Sequence, residues 1–90
     1  MIYTIVRFRR RTQDSEYAMI GEFELLAQAY LHIHDHIHLE RDGYPFVTKQ
    51  KFDKNSVDGY FIFNTESSIP QYDLVNFVSN NNNGTYLEYV

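Results

Sequence analysis

Two hydrophobic rhythms stand side by side in the first half of the chain. Over residues 2–9, side chains alternate with a period of two: Ile2, Thr4, Val6 and Phe8 face one way and Tyr3, Ile5, Arg7 and Arg9 the other. Apolar residues occur in both sets, which describes an inner strand whose arginine-rich end emerges into solvent. Further along, Phe23, Leu26, Tyr30, Ile33 and Ile37 recur at steps of three and four, while Glu22, Glu24, Gln28 and Asp35 take other faces. That is the stripe of an amphipathic helix, predicted over about residues 15–41 and stopped by Gly43 and Pro45. A chain holding both rhythms is mixed α and β. At 90 residues it has material for one core, so a multidomain enzyme is excluded.

The second half is punctuated by turn residues. Runs 46–52 and 60–65 are short, aromatic and β-branched, and the polar segment between them ends in Asp58-Gly59, so they are predicted to pair as a hairpin. Ser68-Ile69-Pro70-Gln71 resembles a capping box, with Ser68 as N-cap and Gln71 reaching back. A short helix to about Ser79 would then bury Leu74, Phe77 and Val78. Residues 72–78 also alternate, and Asn83-Gly84 could turn them into a hairpin with residues 85–90, so helix and strand both stay open over 69–79. With the helix, the chain reads as one α+β domain over residues 1–90, ferredoxin-like βαββαβ, with an antiparallel sheet and both helices on one face. The other face would need cover. Eight Tyr and seven Phe suggest that some of it is apolar, which predicts a homodimer or a docking surface.

Charge is laid out unevenly. Arg7, Arg9, Arg10 and Arg11 give residues 1–11 a charge of +4, whereas residues 12–54 and 55–90 each carry -4, for a net -4. Such a balance repels phosphate backbones and favours a basic partner surface. There is no cysteine, hence no disulfide, thiolate metal site or cysteine nucleophile. The apolar opening followed by arginines reverses the order of a signal peptide, and no run approaches a membrane span, so a cytoplasmic protein is expected.

All four histidines fall in His32-Ile33-His34-Asp35-His36-Ile37-His38. On a strand the four rings would share one face and could hold a metal. On a helix they split into two columns, His32/His36 and His34/His38, so each ion would find two ligands at most. The helical stripe governs here, and the four remain weak metal candidates. The run looks like the HxHxDH motif of the metallo-β-lactamase fold but is one residue short, in a chain too small for that fold. At an ordinary pKa of about 6.5, protonation of the four imidazoles would carry the net charge from -4 toward zero.

No catalytic constellation is present: no nucleophile elbow, no HExxH, no P-loop. Neither a catalytic residue nor a cofactor is predicted. Residues 1–8, with Gly59-Tyr60-Phe61-Ile62-Phe63 and the helix after them, resemble the antibiotic-biosynthesis-monooxygenase type of dimeric α/β barrel. That resemblance covers about a third of the chain and implies a homodimer with a small-molecule pocket under the helices. The chain has no Trp, unlike that family's usual aromatic segment, and no catalytic residue carries over. The leading expectation is a non-catalytic protein-interaction module covering part of a larger host protein. Asn, Tyr, Phe and Ile usage fits an AT-rich phage or mobile element, so its concrete form is an inhibitor of a host enzyme or defence system, anti-CRISPR-like. Glu22, Glu24, Asp35, Glu40, Asp53 and Asp58 would imitate phosphates toward a basic groove. The runner-up is the dimeric barrel, as small-molecule binder or cofactor-free monooxygenase. A nucleic-acid binder using Arg7, Arg9, Arg10 and Arg11 comes third.

Overall fold

The period-two alternation of the first residues becomes strand β1, Ile2–Arg10, an inner strand of the sheet. The computed structural model describes residues 1–10, 14–40, 47–49, 52, 58–81 and 84–89. After β1 come β2 (Ser15–Phe23), helix α1 (Leu26–Glu40), β3 (Val47–Lys49), β4 (Asp58–Thr65), a 3-10 turn over Gln71–Asp73, helix α2 (Leu74–Asn80) and β5 (Thr85–Tyr89). The five strands form one sheet in the order β2-β1-β4-β5-β3, every neighbouring pair antiparallel.

This is a small α+β domain, but its order differs from the ferredoxin-like βαββαβ expected from the sequence. Residues 15–23 are a strand instead of the first turns of the long helix. The apolar stripe used to start that helix included Phe23, which does turn toward the core, but from β2. Gly21 was the contrary signal, because glycine in a helix interior costs about 1 kcal/mol relative to alanine. The predicted hairpin of 46–52 with 60–65 is also absent. Strand β4 pairs along its length with β1, from Ile2 opposite Thr65 to Arg9 opposite Asp58. Its other edge is taken by β5, and β3 pairs with β5 instead. Gly59, read as a turn residue, lies inside β4; a Cβ there would run into the Leu87 carbonyl oxygen and come within 2.6 Å of the Tyr86 hydroxyl. The predicted stops Gly43 and Pro45 lie outside the described residues.

The two helices lie on opposite faces of the sheet, not on one. Strands β1 and β4 are apolar on both sides, so each face needs its own cover. Beneath α1, Ala29, Ile33 and Ile37 pack on Ile5, Tyr60, Ile62 and Leu87. Beneath α2, Leu74 and Val78 pack with Ile69 on Val6, Phe8, Phe61, Phe63 and Tyr86, with Phe52 and Phe77 closing the margin. That second core is aromatic: Phe52 to Phe61 is 4.8 Å between centroids, Phe61 to Tyr86 4.9 Å and Phe63 to Phe77 5.1 Å. Each such pair contributes about 0.5–1.5 kcal/mol beyond the burial of its area. The aromatic surplus that suggested a bare sheet face is therefore largely packed inside.

Helix rather than strand is what residues 74–80 adopt, with Leu74 and Val78 buried as expected. The capping box does not form. Ser68 Oγ instead donates to Glu22 Oε2 at 2.7 Å, fastening the approach to α2 onto β2, and neither Pro70 nor Asp73 makes a side-chain cap.

Candidate functional site

The pairing of β1 with β2 slips by one residue between Ile5, opposite Gly21, and Val6, opposite Met19. Ile20 is the extra residue of a β-bulge. Because successive strand residues face opposite ways, the insertion reverses everything before it. Tyr17 and Met19 go to the α2 face, whereas Ile20 and Phe23 go to the α1 face. A bulge leaves backbone groups without ladder partners, and α1 supplies one: His32 Nε2 donates to the Ile20 carbonyl oxygen at 2.8 Å. Gly21 makes room, since a Cβ there would sit 2.7 Å from the Phe23 ring and 3.2 Å from His32. The His32 and Phe23 rings meet at 5.1 Å.

One turn further, His36 Nδ1 and the Tyr60 hydroxyl share a hydrogen bond of 3.0 Å, their rings edge to face at 5.7 Å. Tyr60 is fully buried in β4, and its ring lies 4.8 Å from the guanidinium carbon of Arg7. Arg7, only 5% exposed, is held by three acceptors on Nη1: the carbonyls of Phe8 at 2.6 Å and Gly59 at 3.0 Å, and the carboxylate of Asp58 in an ion pair. A polar line thus runs beneath α1 from Asp58 through Arg7, Tyr60 and His36 to His32. It holds a proton between a buried phenol and a half-buried imidazole. Beside it opens a cleft of about 210 Å³ lined by Arg7, Arg9, Glu16, Ala18, Ile20 and His36.

These positions redistribute the residues singled out in the sequence. His32 and His36 share the sheet-facing side of α1 with their centroids 6.5 Å apart, whereas His34 is exposed; the side chain of His38 lies outside the described residues. Among the described residues no three His, Asp or Glu side chains converge on a metal-sized site. The arginines do not form one patch. Arg7 and Arg9 face the α1 side, while Arg10 lies over Phe8 and Phe52 at 5.3 and 5.8 Å, and Arg11 is outside the described residues. Of the acidic set, Glu22, Glu24 and Asp35 are exposed, Asp58 is turned to Arg7, and Glu40 and Asp53 fall where side chains are not described.

Part of the stripe that the sequence places inside α1 is exposed. Ile33 and Ile37 of that stripe are buried as expected, but Ala29 joins them in place of Leu26 and Tyr30, which lie at the margin of the buried column. Leu25, Leu26, Tyr30 and Leu31 are left 60%, 42%, 40% and 63% exposed. Leu26 with Tyr30, and Ala27 with Leu31, are neighbours at i and i+4, so exposed apolar side chains flank one side of the buried column over the first turns of α1, and Leu25 precedes the helix. The signal was present: small Ala29 and the imidazoles His32 and His36 fit the space against a bulged strand that Leu26 and Tyr30 do not fill.

Comparison of the chain with known protein families, with curated proteins and with solved structures finds no match. Among the described residues no helix is long and apolar enough to cross a membrane. What fold and site define is a small α+β domain with a helix on each sheet face, a polar line under one helix and exposed apolar side chains at the start of that helix.

Proposed function

We propose that the chain is a non-catalytic protein-interaction module that covers part of a larger partner. The observation that carries this is the set of exposed apolar side chains Leu25, Leu26, Tyr30 and Leu31 at the start of α1, with the exposed carboxylates of Glu24 just ahead of the helix and Asp35 one turn beyond Leu31. Aromatic and aliphatic anchors inside a charged rim are the make-up of interface hot spots, and the acidic rim suits a partner with a basic margin. The partner class we favour is a host enzyme or defence system inhibited by a phage or mobile-element product, the acidic rim standing where phosphates would. Glu24 and Asp35 supply that rim; Glu22, bonded to Ser68 on the α2 side, and Asp58, neutralised by Arg7, do not.

The barrel reading needs one bare sheet face, and here α2 lies over the face opposite α1. The nucleic-acid reading needs several arginines on one surface, and Arg7 is buried. Retrieval from host lysate by the tagged chain tests the proposal when run beside Leu31→Glu and Tyr30→Ala. A partner retained by the native chain and lost by both variants supports it. Retention of no macromolecule, or equal retention by all three chains, overturns it.

A further inference from the structure

We infer that the cleft between β1, β2 and the C-terminal half of α1 is a binding site for a small organic monoanion, a carboxylate on a compact apolar body. Ala18 and Ile20 supply the apolar part of its lining, and Arg7, Arg9, Glu16 and His36 the polar and charged part. At about 210 Å³ the cleft is below the roughly 300–1,000 Å³ of pockets for drug-sized ligands, so its occupant is small. The wall is built, not incidental: the guanidinium of Arg7 is fixed by Phe8, Gly59 and Asp58, and the ring of His36 is fixed by Tyr60. Fixed donors bind an anion without the ordering cost that loose surface arginines bring.

Charge decides the ligand class and its pH dependence. Among the described residues, the groups facing the cleft are Arg7 and Arg9 from β1, Glu16 from β2, His36 from α1, and Asp58 with Tyr60 from β4 behind Arg7. Asp58 balances Arg7, and Glu16 stands directly opposite Arg9 across the strand pair. With His36 uncharged the group is neutral; a proton on His36 adds the single positive charge that one carboxylate balances. Anion binding therefore takes up a proton. It weakens as rising pH removes that proton from His36.

Benzoate is the probe, followed by NMR at the methyl groups of Ala18 and Ile20 at about pH 6 and pH 8, with benzyl alcohol as its uncharged counterpart. Saturable shifts are expected with benzoate, weaker at the higher pH, and about tenfold weaker binding in Arg9→Gln. Glu16→Gln, which removes the opposing carboxylate, is expected to retain binding at the higher pH. The dispersion of each variant's spectrum reports its fold independently. Absence of saturable shifts in native chain and Glu16→Gln alike, equal shifts with benzyl alcohol, or unchanged benzoate binding in folded Arg9→Gln overturns the inference.

Discussion

His32, the first sheet-facing imidazole from the start of α1, donates from Nε2 to the carbonyl of Ile20, the residue that β2 bulges out. One contact thereby joins the irregularity of the edge strand to the phase of the helix. The carbonyl can only accept, so the bond fixes the proton on Nε2. It also explains a histidine on the inner side of a helix: an aliphatic side chain there would leave the bulge carbonyl unsatisfied.

His32→Leu keeps the volume and removes the donor, so it is expected to destabilise the domain by about 1–3 kcal/mol, the cost of an orphaned part-buried acceptor. Chemical denaturation measures it. Tyr60→Phe, which takes one partner from His36, is expected to cost about 1 kcal/mol by the same measurement.

The ion pair of Arg7 with Asp58 predicts strong non-additivity. Asp58→Asn leaves a guanidinium that is 5% exposed without its counter-charge and is expected to cost about 3–5 kcal/mol. Arg7→Met in the Asp58→Asn background is expected to restore much of that loss, because no buried charge then remains. Denaturation midpoints of the two single variants and the double variant give the coupling.

Gly59→Ala forces a methyl group into the Leu87 carbonyl and the Tyr86 hydroxyl, where backbone cannot give way. The expected loss is at least about 1–3 kcal/mol, the range for overpacking, read as a fall in Tm.

Thr4 is fully buried and its Oγ1 has no hydrogen-bond partner among the described residues. Thr4→Val keeps the shape and removes the stranded hydroxyl, so stability is expected to rise by about 1 kcal/mol. A fall of similar size in calorimetry would show that the hydroxyl is satisfied in solution.

How much of this was legible follows from where local and tertiary preferences agree. Strand β1 read correctly because its two-sided alternation is also its environment, packed on both faces. Strand β4 was legible for the same reason, and Leu74 and Val78 because their i, i+4 spacing puts them on one side of a helix. Strand β2 was not, because Phe23 has the right spacing to extend the helical stripe and because the bulge at Ile20 breaks the alternation that would mark residues 15–23 as extended. From that error followed the lost strand order. The placement of the two helices was implicit in β1 itself: a strand apolar on both sides needs cover on both. The cleft was illegible as a site, since Arg9, Glu16, Ile20 and His36 meet only through the β1–β2 register and the tilt of α1 over it. Only the residue types, an arginine run and a histidine run, were visible, and each had been assigned to a different chemistry.

The polar line, the cleft and the outward apolar surface all require α1 to turn its His32/His36 side to the sheet. Nuclear Overhauser contacts between assigned side chains test that phase directly. The account predicts contacts from the His36 ring to Tyr60 and from the His32 ring to Phe23 and Ile20, with Leu26 and Leu31 showing none to β1 or β4. Contacts of Leu26 and Tyr30 with Ile5, Tyr60 and Ile62, with both imidazoles exposed, would contradict it.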